Sequence, residues 1–321
     1  MKYNYYPGCS LERLSSAYHT SSMAIAGPLG LEFVEVDDWN CCGATEYISL
    51  NLTAAYSLIA RNLAQASKNP GVDQLVAPCS ACYLNLRKAD KYLGTEPALA
   101  SRVGAALAEA GLSYKAGSQH VRHLLDVVYH DVGVETLAAK TTRPLKGLRV
   151  APYYGCMIVR PEFHNGGDDP EYPTSLDQIL KALGAEVVDY PLKSHCCGGH
   201  MTQISEDTGF ELIRRLLKGA DDYHADVLVT ICPMCQFNLD GFQGAVNRHF
   251  GTHYHIPVLY FTQMIGLAMG MDPRELAIGQ EIVSAAKALE KIGTEIPPEV
   301  PAERRKRDDK ALPMPGTRME G

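Results

Sequence analysis

The sequence predicts an α/β protein built from two homologous parallel-sheet domains, related by internal duplication and followed by an extended C-terminal tail. Three observations lead there. Apolar runs of strand length alternate with longer helical patterns through residues 1–290. The ten cysteines divide into two quintets of one order: a single cysteine, an adjacent pair, then C-x-x-C. The residues around those cysteines repeat as well. The expected divisions are an N-terminal domain over 1–140, a C-terminal domain over 141–293 and a tail over 294–321.

The elements follow in chain order. Tyr3 to Tyr6 reads as a strand running into Cys9. Leu31 to Val36 alternates and precedes Cys41-Cys42. Ser49 to Ala66 has helical spacing, and Asp73 to Ala77 is a short apolar strand ending at Cys79-x-x-Cys82. Arg143-Pro144-Leu145-Lys146-Gly147 is the expected linker. Beyond it the order recurs. Leu148 to Tyr153 runs into Cys156, Ser175 to Leu183 is helical, and Ala185 to Tyr190 precedes Cys196-Cys197. Ser205 to Ala220 is helical, and Asp226 to Thr230 ends at Cys232-x-x-Cys235. All the cysteines therefore fall at the carboxyl ends of strands, where open α/β sheets place ligands. Ile282 to Ile292 is amphipathic with modest charge. Pro297, Pro298, Pro301, Pro313 and Pro315 flank Glu303 to Lys310, a segment with too little apolar surface to build a core. The Arg304-Arg305-Lys306-Arg307 run reads as a solvated charge stretch, with contact to an acidic partner as the alternative.

Composition narrows the class. A chain of 321 residues, 46% hydrophobic and 21% charged, is long enough for two packed domains and excludes wholesale disorder. A net charge of −7 leaves no broad basic field, so nucleic acid is excluded as a main partner. The start, MKYNYYPGCS, has no apolar signal region, and Pro257 to Met271, the most apolar window, is shorter than the ~20 residues that span a bilayer. The expected location is cytoplasmic. In a chain of that kind ten cysteines point to metal or redox chemistry rather than disulfides.

The repeat extends beyond sulfur. Tyr5-Tyr6-Pro7-Gly8-Cys9 matches Pro152-Tyr153-Tyr154-Gly155-Cys156, Gly43 and Gly198 follow the two pairs, and Asn85-Leu86 and Asn238-Leu239 follow the two C-x-x-C motifs. The offset between equivalent cysteines is 147 at the first, 155 at the pair and 153 at the last two, the drift that loop insertions produce. Zinc takes four ligands, usually as two spaced pairs. Cubane clusters commonly take three closely spaced cysteines and a distant fourth, and a thioredoxin-like motif needs only two. Five thiols with two adjacent call for an iron–sulfur cluster with more than four thiolate contacts in each half. Zinc in one half, as a structural site, is the lesser alternative.

The twofold pattern Cys…Cys-Cys-Gly…Cys-x-x-Cys resembles the cysteine-rich CCG domain, and specifically the B subunit of heterodisulfide reductase and its relatives in sulfur-oxidising bacteria. The likeness covers about residues 1–290; the proline-rich tail lies outside it and leans toward the bacterial form. The resemblance implies two noncubane [4Fe-4S] clusters. Cys9, Cys41, Cys42, Cys79 and Cys82 would hold one, and Cys156, Cys196, Cys197, Cys232 and Cys235 the other. It also implies a catalytic subunit for disulfide/thiol or related sulfur redox chemistry. Electrons would pass through a ferredoxin-like C subunit carrying cubane clusters and a flavoprotein A subunit; no GxGxxG fingerprint occurs in this chain. The substrate would be a disulfide, a thiol or a sulfur carried on a lipoyl protein. A second reading resembles the CCG subunit of some succinate dehydrogenases, which passes electrons to quinone at a membrane. Relatives among lactate and glycolate oxidase subunits add ferredoxin motifs, which are missing here.

Polar residues flank the pairs. Lys193, His195 and His200 bracket the second, and Asp38, Trp39, Asn40 and Glu46 the first. A histidine or lysine there would raise a cluster's potential and protonate a leaving thiolate, so Lys193, His195 and His200 are the catalytic candidates. The plainer reading of each is a hydrogen bond or surface exposure. His120, His123, His130, His249, His253 and His255 have no such setting and read as surface or core residues. Tyr5, Tyr6, Tyr153 and Tyr154 fit a sheet core better than a lid over the clusters.

Overall fold

The computed structural model describes residues 1–44, 47–161 and 168–294. It contains two four-stranded, all-parallel sheets. The first has the order β2-β1-β3-β4, from β1 (Lys2–Tyr5), β2 (Glu32–Glu35), β3 (Gln74–Ala77) and β4 (His120–His123). The second repeats it as β6-β5-β7-β8, from β5 (Arg149–Tyr153), β6 (Glu186–Val187), β7 (Val227–Thr230) and β8 (Val258–Tyr260). The shared order is the duplication made visible. The central strands are largely apolar, as strands covered on both faces must be: Tyr3 to Tyr5, Leu75 to Ala77, Val150 to Tyr153 and Val227 to Thr230 are all buried. Pro152 has no N–H to donate, yet sits in a central strand. It is tolerated because β6 pairs only with Arg149 and Val150 and has ended before it.

Helices cross between the strands, and several differ from the sequence reading for identifiable reasons. The pattern over Ser49 to Ala66 is two helices, Tyr47–Leu50 and Leu52–Ala66, because the Asn51 side chain caps the second by accepting from the Ala54 N–H at 3.0 Å. The strand expected over Ala185 to Tyr190 is only two residues long, since the Tyr190 N–H turns back to the Val188 carbonyl. The amphipathic stretch Ile282 to Ile292 keeps one helical turn, Ala286–Leu289. At its start the Ile282 and Val283 N–H groups are taken by the buried Asp240 carboxylate, which fixes a loop there. The linker 143–147 is anchored rather than free: the Arg143 N–H bonds to the Ala268 carbonyl and the Leu145 N–H to that of Leu183. The tail segment 295–321, with its prolines and basic run, lies outside the described residues, as does Glu46.

One continuous hydrophobic core runs through both sheets, and a smaller one fills the outer side of the second. The helices Ser16–Ala26 and Phe261–Ala268 join the halves. Ser21 and Thr262 share a buried hydrogen bond of 2.6 Å, and Tyr18 stacks flat on Tyr260 with centroids 4.3 Å apart. The carboxyl ends of both sheets are thereby brought against each other.

Candidate functional site

All ten cysteines are free thiols. Each quintet is assembled from three strand ends. In the first half β1 leads through Gly8 to Cys9, the loop after β2 carries Cys41 and Cys42, and Cys79 caps the helix Ser80–Thr95, whose first turn carries Cys82. In the second half β5 leads to Cys156 and the loop after β6 to Cys196 and Cys197. Cys232 caps the helix Pro233–Gly241, whose first turn carries Cys235. The spacing of three between the C-x-x-C cysteines keeps both thiols at the same helix end. Cys42 and Cys82 lie 3.3 Å apart, Cys9 and Cys41 3.7 Å. In each half the inner three thiols are buried, while Cys9, Cys41 and Cys196 are exposed and Cys156 is half-buried. Each site is thus closed at its base and open at a mouth.

The same supports hold both sites. Gly8 and Gly155 are left-handed, with φ of 74° and 69°. A Cβ at either would stand 2.9 Å from the last thiol of its own quintet, Cys82 Sγ or Cys235 Sγ. The Tyr6 hydroxyl donates to the Asn40 carbonyl at 2.7 Å, and the Tyr153 hydroxyl to the His195 carbonyl at the same distance. Each tyrosine so fixes the residue before a cysteine pair. Asn85 donates through its amide to the carbonyls of Cys42 (3.1 Å) and Ala44 and approaches Cys42 Sγ at 3.7 Å. Asn238 does the same to Cys197 (3.2 Å), Gly199 (2.8 Å) and Cys197 Sγ (3.6 Å). After each pair two successive left-handed residues, Gly43 and Ala44 or Gly198 and Gly199, turn backbone N–H groups toward the thiols. The Gly198 N–H donates to Cys196 Sγ at 3.3 Å.

These contacts set the charge pattern. Hydrogen bonds from Cys42 and Cys9, with the Gly43 N–H, pull the Cys41 thiol down to about 2. Cys156, the Gly198 N–H and the nearby Arg160 guanidinium pull Cys196 down to about 6. Their partners Cys9 and Cys156 are pushed up, first by giving those hydrogen bonds and then by burial. Cys82 and Cys235 are held high by hydrogen bonds to neighbouring thiols and by burial. Buried thiols of this kind release their protons when they ligate a metal, which would couple metal binding to folding.

The two sites touch. Cys79 hydrogen-bonds Cys232, which Cys235 and its own helix N-terminus also stabilise as the acceptor. The Tyr18–Tyr260 stack lies against this junction, with the Tyr18 hydroxyl on the Ile231 carbonyl at 3.2 Å. His123, fully buried, approaches Ser80 Oγ at 3.4 Å through Nε2, while its Nδ1 accepts from the Leu125 N–H at 3.0 Å. Ser80 lines a cavity of about 50 Å³ together with Cys156, Cys196, Cys197, Cys232 and Cys235, so a residue of the first half completes the second site. An open groove beside Cys9 and Cys41 is edged by Glu12, Glu35, Asp37, Asp38 and Trp39.

The sequence candidates are placed as follows. Lys193 is buried. Its ammonium pairs with Asp177 Oδ1 at 3.0 Å over the Tyr172 ring, and its carbonyl accepts from the Tyr154 and Gly155 N–H groups. It therefore ties the turn before Cys156 to the loop before Cys196. His195 is exposed beside Cys196, and His200 is half-buried where the helix Met201–Ile204 begins. Asp38 pairs with Arg61, and the Trp39 indole donates to Glu35 at 3.1 Å with its ring against Tyr6. Tyr6 and Tyr153 are both core and site residues. In the sequence His123 has no distinguishing setting, and Asn85 and Asn238 are only repeated letters; their placement shows the bonds they make. Among the described residues no three Asp, Glu, His or Cys side chains already surround one ion position. The donors themselves, five thiols per site with one adjacent pair, exceed a tetrahedral zinc set and fit an iron–sulfur group. No described helix is long and apolar enough to cross a membrane.

The model of the cysteine-rich domain, CCG, matches residues 3–87 and 150–240, the two segments that carry the quintets. The chain is 33% identical over 290 residues to the 8-methylmenaquinol:fumarate reductase membrane anchor subunit of Wolinella succinogenes, covering 89% of this chain and 98% of that protein. It is 32% identical over 294 residues to the B subunit of the Ferredoxin/F(420)H(2)-dependent CoB-CoM heterodisulfide reductase of Methanosarcina acetivorans, covering 91% and 97%. A protein of Archaeoglobus profundus that is named for its likeness to the heterodisulfide reductase B subunit is 30% identical, covering 86% and 93%. A crystal structure of a hypothetical protein from Helicobacter pylori has the same fold, with a TM-score of 0.69 at 15% identity. The match covers 88% of this chain and 52% of that one. With a complete quintet in both matched segments and relatives aligned along nearly their whole length, the chain belongs to the CCG cysteine-rich domain family, among the relatives of the heterodisulfide reductase B subunit.

Proposed function

We propose that this chain is the iron–sulfur subunit of a multi-subunit oxidoreductase, acting on a disulfide or thiol at two noncubane [4Fe-4S] sites. The observation that carries this is the junction of the two complete quintets at Cys79 and Cys232. Clusters held by these thiols would supply one-electron steps, and two adjoining sites match the two electrons of a disulfide. The chain's own residues do the rest. The glycine turns, Asn85 and Asn238 fix the thiols. Tyr6, Tyr153 and the Tyr18–Tyr260 stack exclude water from the base. The exposed mouths at Cys9–Cys41 and Cys156–Cys196 leave room for substrate, and His195, next to Cys196, and His200 are the proposed proton-transfer groups. Electrons arrive from a ferredoxin-like C subunit and a flavoprotein A subunit, and the complex is cytoplasmic.

A second reading has its own support. The Wolinella relative is named as a membrane anchor of a menaquinol:fumarate reductase. Each cysteine pair here is followed by a one-turn helix with an exposed apolar residue, Leu50 or Ile204. In that reading the sites relay electrons to or from quinone. A spectroscopic titration of wild type, Cys42→Ser and Cys197→Ser with disulfide and thiol substrates, alongside turnover with an artificial donor, separates the two. The sulfur reading expects substrate-dependent signals and loss of turnover in both variants. Undiminished turnover in either one would refute the paired-site reading and favour the relay.

A further inference from the structure

We propose that the two sites, matched in their thiols, are unmatched in their surroundings, and that Ser80, His123 and Arg160 make the C-terminal site the one that holds the first electron. This rests on the iron–sulfur reading above and goes beyond it by assigning an order to the sites.

Three observations carry it, each independent of the others. The first is the Ser80–His123 pair. The Leu125 N–H occupies His123 Nδ1, so the ring proton sits on Nε2, which faces Ser80 Oγ at 3.4 Å. The Nε2 proton also faces the Pro78 and Ile231 carbonyls, and Ser80 brings a hydroxyl to the wall of the cavity lined by Cys156, Cys196, Cys197, Cys232 and Cys235. The position equivalent to Ser80 in the second half is Pro233, which has no donor to offer the first site. The position equivalent to His123 is Tyr260, whose hydroxyl is directed at Gln236 at 3.4 Å and whose ring stacks on Tyr18. The second observation is Arg160, whose backbone N–H donates to the Cys156 carbonyl at 3.2 Å and whose guanidinium pairs with Glu171 at 3.6 Å; its counterpart in the first half, Arg13, is exposed and does not line the groove at Cys9 and Cys41. The third is the groove at the first mouth, where Glu12, Glu35, Asp37 and Asp38 surround Cys9 and Cys41, with Arg61 paired to Asp38. Donors and positive charge near cluster sulfur raise a reduction potential, and negative charge lowers it. All three effects act in one direction. A single electron from a reductant therefore settles at the C-terminal site, and the second enters the N-terminal one.

The test is an anaerobic redox titration of the iron-loaded chain with dithionite through viologen mediators, read by electron paramagnetic resonance. Wild type is expected to show two midpoint potentials. Cys42→Ser should retain the higher and Cys197→Ser the lower. Arg160→Gln, on an exposed side chain, and Ser80→Ala should each move only the higher potential downward. Ser80→Thr, which keeps a hydroxyl, should restore it, separating the hydrogen bond from a packing defect. Glu12→Gln should move only the lower potential upward. Equal potentials, the reverse assignment, or no movement in both Arg160→Gln and Ser80→Ala overturn the inference while leaving the iron–sulfur reading standing. A chain lacking iron and sulfide overturns both.

Discussion

Replacing Gly8 by alanine separates backbone strain from damage to the thiol site. Gly8 has φ of 74°, where an L-residue costs about 1–2 kcal/mol. The new Cβ would also lie 2.9 Å from Cys82 Sγ, against ordinary contacts that begin near 3.4 Å, so the thiol must retreat by roughly 0.5 Å. That equals the tolerance within which a binding group must be held to work. Gly30 provides the control. Its φ is 72° and nothing lies within 4 Å of its Cβ direction. Gly30→Ala should therefore lose a few degrees in thermal melting, and Gly8→Ala at least as much. Only Gly8→Ala should lose iron, and only from the N-terminal site; Gly155→Ala should do the same at the C-terminal site. The assay is iron and acid-labile sulfide per chain beside a melting curve. Equal iron in Gly8→Ala and Gly30→Ala would show that the glycine is not there to admit the Cys82 thiol.

Cys42→Ser should remove only the N-terminal iron and Cys197→Ser only the C-terminal, as seen in separate paramagnetic signals; equal loss from both sites in a folded variant would contradict the two-site assignment. Asn85→Leu and Asn238→Leu each strip the bonds that brace a cysteine-pair loop and should cost about 1–3 kcal/mol by denaturant unfolding, with faster cluster loss to a chelator. Lys193→Met leaves Asp177, whose side chain is only 14% exposed, without its cation and should destabilise by about 3–5 kcal/mol. Adding Asp177→Asn, which removes the charge but keeps an acceptor for the Tyr154 hydroxyl, should recover most of that, and a double variant no more stable than Lys193→Met would show that the pair is not the cause.

The duplication decides what is legible in the sequence. The ten cysteines, the glycines beside them and the six strands leading toward them stand out because each appears twice with chemistry attached. β4 and β8 do not stand out. His120-Val-Arg-His123 is a short edge strand with polar residues, and Val258–Tyr260 is three residues inside a longer apolar window. The helices beginning at Ser80 and Pro233 are hidden behind their cysteine motifs. His123 is silent in the sequence because its importance lies in how the halves pack, a relation to Ser80 and Ile231 that no local spacing encodes. Lys193 draws notice by its nearness in sequence to Cys196, whereas in space its ammonium is held by Asp177. The asymmetry at Ser80 and Pro233 emerges only once the two motifs are set on one fold.

The metal and sulfide content of anaerobically purified protein decides whether each quintet holds an iron–sulfur group. Two filled sites require about eight irons per chain and a matching amount of acid-labile sulfide, four of each per quintet. Stoichiometric zinc with no sulfide would contradict the iron–sulfur assignment at its root.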